Sequence, residues 1–211
     1  MTPTHQPRTA PQSRRDQLVD AAVWAFARKG YRATSVSDII ARAGVARGTI
    51  YLYFEGKEHV FLAVVDQFQQ RLEQVLAAPE SPVPLADHHG RAMLQRSFHR
   101  WLTFFSDHRD AATVVLKEAT SIDPRFEASL ARLRGIGLDY FAARFRRFQA
   151  RGLVTTALPA ELVAHLHLGM VDELVNSYVL RDEAPDVNAI HALAGQIAEF
   201  AWDGIRPDRR Y

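Results

Sequence analysis

Apolar residues recur along this chain at spacings of three and four, and no stretch alternates apolar with polar residues between turn signals. The pattern predicts an all-α protein of about nine helices. A first helix runs from about Ser13 to Lys29, with Ser13 as its N-cap, Leu18, Ala22 and Phe26 along one face, and Gly30 as its stop. Thr34 or Ser35 starts a short helix that ends near Ala43. Gly44-Val45 makes a turn, and a second short helix covers about Ala46 to Phe54. A long helix follows from about Lys57 to Leu76. Beyond the proline-rich stretch from Ala77 to Pro84, helices are expected at about 86–106 and 109–121. Another starts at Asp123-Pro124 and stops at Gly152, and the last two cover about 159–180 and 187–205.

Two short helices joined by a glycine-containing turn make a helix-turn-helix when their apolar residues face inward. Val36, Ile39, Ala43, Val45, Ile50 and Phe54 fit that role, and a plain packed hairpin would satisfy the same pattern. The residues left outside favour a reader of nucleic acid. Arg47 can fork onto guanine or pair with phosphate, and Gly48 lets the backbone come close. Thr49 and Tyr51 supply hydroxyls, Leu52 supplies an apolar contact, and Tyr53 lies on the flank. Thr34, Ser35 and Lys57, at helix starts, are placed to meet phosphates, as is Arg14 at the head of the first helix.

Charge sharpens this picture. The chain has 211 residues and a net charge of +2, but residues 1–57 carry nine Lys or Arg against four Asp or Glu. A basic head on a mildly acidic body suits a polyanionic partner. The hydrophobic share of 47% is that of a globular protein, no apolar run is long enough to cross a bilayer, and there is no cysteine. Residues 1–12 read as a disordered tail without a signal sequence, 13–57 as the DNA-binding domain and 58–211 as a second domain. A cytoplasmic location is expected.

The stretch from Phe26 to Glu58, FARKGYRATSVSDIIARAGVARGTIYLYFEGKE, resembles the N-terminal signature of the TetR family of repressors. The likeness spans roughly residues 14 to 60. Three positions depart from the family's common residues, Ile40 for Ala, Ala46 for Ser and Leu52 for His, so the family's base contacts do not carry over whole. The resemblance implies a ligand-responsive repressor that binds a palindromic operator in double-stranded DNA as a homodimer. A small apolar effector in the helical body would release it.

In the helix over about 159–180, Leu162, Leu166, Met170 and Leu174 form one apolar stripe and Val163, Val171, Val175 and Tyr178 another, and in the last helix Ile190, Ala194, Ile197 and Ala201 make one face, so a second subunit is expected beside them. A thick single core is the alternative. Expected pocket residues are Trp101, Phe105, Leu116, Leu138, Phe141, Met170, Leu174 and Tyr178, and such aromatic stripes also serve as plain core. The stretch from Phe104 to Glu118 is similar to fatty-acid-responsive members of the family. That likeness would make the effector a fatty acyl-CoA whose phosphates meet Arg144, Arg146, Arg147 and Arg151, unless these form a solvated basic face.

No hydrolase, nucleotide-binding or metalloprotease motif occurs, so neither an enzyme nor a cofactor is expected. His165 and His167, near Asp172 and Glu173, point apart on a helix, and no metal site is expected. The rival readings are a helical carrier or enzyme for lipids or other small molecules, and a DNA binder without an effector.

Overall fold

The computed structural model describes residues 13–78, 89–118 and 126–206. The expected tail, most of the proline-rich stretch and the Asp123-Pro124 start signal lie outside them. Among the described residues every regular element is helical. They are α1 (Arg14–Ala33), α2 (Val36–Ala43), a 3-10 helix (Arg47–Leu52), α3 (Lys57–Ala77), α4 (His89–Asp107), α5 (Arg109–Thr113), α6 (Glu127–Gln149), α7 (Ala160–Leu174) and α8 (Val187–Ile205). Two helices end in π-helical turns, Val114–Glu118 after α5 and Val175–Val179 after α7.

Local chemistry sets these boundaries. Ser13 Oγ accepts from the Asp16 amide at 3.1 Å and so caps α1. Gly30, at φ 75° and ψ 158°, interrupts the helix where a stop was expected, and a further turn then carries the chain to Ala33. A capping box starts α2. The Ser35 hydroxyl accepts from the Asp38 amide at 3.2 Å, and Asp38 Oδ2 accepts from the Ser35 amide at 2.8 Å. Gly44 ends α2 in the left-handed region, at φ 66°, where a side chain would be strained.

The second helix of the motif, expected over 46–54, is a six-residue 3-10 helix. Ala46 has no side-chain oxygen to cap it, and the amides of Tyr53 and Phe54 both return to the Ile50 carbonyl. So short an uncapped segment lacks the propagation that makes an α-helix worthwhile.

In the head, Leu18, Ala22 and Phe26 of α1 pack with Ile39, Ile50, Phe54, Val60 and Phe61, all buried. Each large side chain here contributes about 1.5–3 kcal/mol by leaving water. In the body, α4 runs along α8 and α6 along α7. Gly137 on α6 allows a close approach, because a Cβ there would lie 2.8 Å from Leu168 Cδ1 and 3.1 Å from Trp101 Cη2. Buried Gln69 ties α3 to α6 by donating to the Ser129 carbonyl at 2.7 Å.

Candidate nucleic-acid interface and effector cleft

The reading segment turns Ile50 and Phe54 into the core and leaves large apolar groups in the open. Tyr51 is 55% exposed, Leu52 79% and Tyr53 44%. Arg47 is exposed beside them, and a Cβ added at Gly48 would meet no protein atom within 4 Å. Folding alone therefore does not ask for glycine at 48. Arg14 is also exposed, its guanidinium donating to Gln17 at 2.8 Å.

Two residues expected at phosphates are turned inward. Thr34 is 2% exposed, and its hydroxyl donates to the carbonyls of Gly30 at 2.8 Å and Ala25 at 3.2 Å. Lys57 Nζ donates to the carbonyls of Tyr31 at 2.8 Å, Thr34 at 2.9 Å and Arg32 at 3.3 Å, and stands 4.4 Å from the centre of the Tyr31 ring. The carbonyls met by Lys57, and that of Gly30 met by Thr34, lie at the C-terminal end of α1, where helical carbonyls have no amide four residues on. Ser35 is exposed with its hydroxyl engaged in the capping box. Asp38 in that box is held well below the ordinary carboxylate range by Lys29, at 2.6 Å, and by Ser35.

The body holds an apolar cleft of about 410 Å³ between α3, α4, α6 and α7. Leu72, Trp101, Phe105, Leu116, Leu130, Leu133 and Leu168 line it, with Glu127, Arg134, Asp172 and Asn176 as its polar groups. Arg134 pairs with Asp172 at 2.9 Å, and burial nevertheless raises the Asp172 carboxyl above its ordinary range.

Three of the eight expected pocket residues, Trp101, Phe105 and Leu116, reach this cleft. Phe141 stacks on Trp101 at 5.4 Å. Leu138, Met170, Leu174 and Tyr178 are not among its lining residues. Leu174 is buried in the core, while Tyr178 is half exposed beneath Arg181. Counting along α7 could not tell its core face from its outer face, because both are apolar.

Further along α6, a second cavity of about 420 Å³ is lined by Arg100, Arg144, Arg147 and Arg151 over a floor that includes Tyr140 and Phe148. Arg146 leaves this group. It points across to α7 and pairs with Glu161 at 2.6 Å. Position explains the difference, since residues 144, 147 and 151 share one helical face and 146 lies on another.

The two neighbouring histidines of α7 differ in character. His165 is exposed, and His167 is buried against Phe98, Phe141 and Phe145. Among the described residues no group of three or more His, Asp or Glu could hold a metal. No helix among them is long and apolar enough to cross a membrane.

Sequence reasoning missed the joint between head and body. Phe126, just before α6, packs its ring 4.5 Å from Phe61 and 6.2 Å from Tyr31. Arg28 of α1 pairs with Asp110 of α5 at 2.9 Å. Trp24 takes Arg28 over its ring at 4.8 Å and Arg42 at 4.5 Å. These contacts join residues 65 or more apart in the chain, except within the Trp24 group, where Trp24 and Arg28, four apart on α1, gave a faint signal.

Residues 18–64 match the family model described as bacterial regulatory proteins, tetR family. The chain is 25% identical over 193 residues to the fatty acid metabolism regulator protein of Bacillus subtilis (strain 168), covering 90% of this chain and 94% of that one. The fold is that of the fatty acid degradation regulator FadR from Bacillus halodurans, with a TM-score of 0.73, 23% identity, and 90% and 96% of the two chains covered. FadR from Bacillus subtilis, solved in complex with stearoyl-CoA, gives a TM-score of 0.71 at 24% identity, with 90% and 99% covered. Residues 18–64 thus carry the DNA-binding part of the tetR family of bacterial regulatory proteins, on a helical body with the fold of the regulators named above.

Proposed function

We propose that the protein is a homodimeric repressor that grips a palindromic operator and lets go when a fatty acyl-CoA enters its body. The observation that carries the DNA-binding part is the exposed row of Arg47, Gly48, Tyr51 and Leu52, whose exposure the head's own packing does not require. The basic head supplies the sequence-independent part of the affinity, and a cytoplasmic setting gives it access to DNA.

The outer faces of α7 and α8 support the dimer. Leu162, Leu166, Tyr178 and Phe200 stand in the open, Phe200 at 73% exposure, while the opposite faces of both helices are buried in the core. Two copies of this face make a self-complementary four-helix contact and set two heads at a fixed spacing. The effector reading rests on the apolar cleft and the arginine-lined cavity lying in sequence along α6. From Gly137, which packs on Trp101, to Arg147 is about 15 Å of helix at 1.5 Å per residue. A ligand with an acyl chain, a linker and phosphates matches that order, and the structurally similar FadR from Bacillus subtilis was solved in complex with stearoyl-CoA, a ligand of that class.

Release requires the ligand to bind the DNA-free arrangement more tightly than the DNA-bound one. The test is duplex binding by fluorescence anisotropy across salt concentrations, with and without a series of acyl-CoAs. Arg47→Ala combined with Tyr51→Ala is expected to abolish specific binding and to lower the salt slope. Unchanged binding by that double variant would remove the reader assignment. Light scattering on the wild type and on Phe200→Glu tests the dimer, which is expected to become monomeric in the variant.

A further inference from the structure

We propose that Trp101 selects the chemical form of the effector: its indole N–H donates to the carbonyl oxygen of a neutral acyl ester, thioester or amide, and the cleft rejects the corresponding free carboxylate. The inference rests on the effector reading above and adds the residue that discriminates.

The indole nitrogen of Trp101 is buried and has no hydrogen-bond partner among the described residues, although the side chain lines the cleft. Tryptophan N–H groups that are buried normally find a partner. An indole nitrogen can only donate, so the missing group is an acceptor.

The ring cannot turn away to look for water. It lies flat against Phe105 at 6.1 Å and Phe141 at 5.4 Å, and Tyr140 meets it edge-on at 6.0 Å. Its far edge abuts Gly137, where even a methyl group would crowd it. The donor is therefore fixed before any ligand arrives, on a side chain that shares the cleft lining with leucines 72, 116, 130, 133 and 168.

Charge decides between a carbonyl and a carboxylate. The described lining holds Glu127, Asp172 and Arg134, and the single cation is already engaged by Asp172 at 2.9 Å. A carboxylate entering there would meet two carboxylates against one cation, an unfavourable negative balance. Burial already disfavours charge on Asp172 itself. A neutral carbonyl accepts the same hydrogen bond without that penalty.

The experiment compares methyl laurate, laurate and lauroyl-CoA by isothermal titration, alongside the indole N–H resonances of 15N-labelled protein, with Trp101→Phe identifying the Trp101 signal. The ester and lauroyl-CoA are expected to bind, laurate at least about thirtyfold more weakly than the ester, and the Trp101 N–H to move downfield with the ester. Trp101→Phe is expected to weaken the ester about tenfold, the scale of one neutral hydrogen bond, and to leave laurate unchanged. Glu127→Gln is expected to recover part of the laurate binding.

Equal affinity for ester and acid, or an ester that binds the wild type without moving the indole signal, overturns the proposal and leaves the effector reading standing. Failure of lauroyl-CoA and the ester alike to bind, or to free DNA, overturns both. The resonance is read on the wild type, so it reports on the hydrogen bond even where the variant folds poorly.

Discussion

The rings of Phe126 and Phe61 lie 4.5 Å apart, and through them the start of α6 bears directly on the helix that follows the DNA reader. Residues 127 and 130, within the first turn beyond Phe126, line the apolar cleft. Anything that moves this end of α6 is thereby felt at Phe61 and at Tyr31, whose carbonyl Lys57 holds. Phe126→Leu keeps the site apolar and loosens the joint. It is expected to cost about 1–1.5 kcal/mol of stability and to reduce the ligand's effect on operator affinity several-fold. Titrating DNA binding at fixed ligand concentrations in both proteins checks this. An unchanged ligand effect would mean that the signal travels elsewhere, with the Arg28–Asp110 pair as the next place to look.

Lys57 is expected to act on the fold and not on phosphate. With its ammonium spread over three carbonyls, Lys57→Met should lower stability by about 1–3 kcal/mol, the scale of hydrogen bonds made by a charged donor. The slope of log affinity against log salt should stay within experimental error of the wild type. A phosphate contact would instead reduce that slope by about one. Urea unfolding and salt titrations give the two numbers independently.

Gly48→Ala separates the needs of the head from the needs of its partner. The backbone there has no positive φ, and a methyl group would meet nothing within 4 Å. Stability is expected to hold or to rise by up to about 1 kcal/mol, since alanine suits a helical position better than glycine. Operator affinity should nevertheless fall at least tenfold, because the methyl group occupies the space of close backbone approach. Equal affinity would place Gly48 away from the duplex.

His167 should give the body a stability that depends on pH. Burial pushes its pKa down to about 4 from 6.5, so the folded protein keeps the ring neutral while the unfolded chain protonates it. Between about pH 6.5 and 4 the unfolded state binds the extra proton, and stability falls as pH falls through that window. The full effect approaches about 3 kcal/mol, at 1.36 kcal/mol per unit. His167→Phe, set among Phe98, Phe141 and Phe145, should flatten this dependence in urea unfolding at pH 7 and pH 5.

The head is far more legible in sequence than the body, and the reason is physical. Ser35, Asp38 and Gly44 act on neighbours within about five residues, so spacing alone carries their roles. The body's cleft is made where α3, α4, α6 and α7 meet, and periodicity cannot say which apolar face of α7 turns inward. That is why Trp101, Phe105 and Leu116 line the cleft as expected and Tyr178 does not. Thr34 and Lys57 depart from expectation for another reason. A hydroxyl and an ammonium at helix starts suit phosphates, but the carbonyls at the end of α1 and at Thr34 engage them within the fold. The Phe126 joint gives no signal, because its partners are 65 and 95 residues away.

The 3-10 form of the reading segment has a consequence for how recognition is divided among its side chains. At three residues per turn, positions three apart stack in columns, Gly48 above Tyr51 and Thr49 above Leu52, while buried Ile50 anchors the segment and Arg47 stays exposed at its start. The segment advances about 2 Å per residue, so its six residues pass along about three base steps of 3.4 Å. Each exposed column then works as a nearly independent letter. A change at 49 or 52 is then expected to respell one step of an operator while Ile50 keeps the head folded.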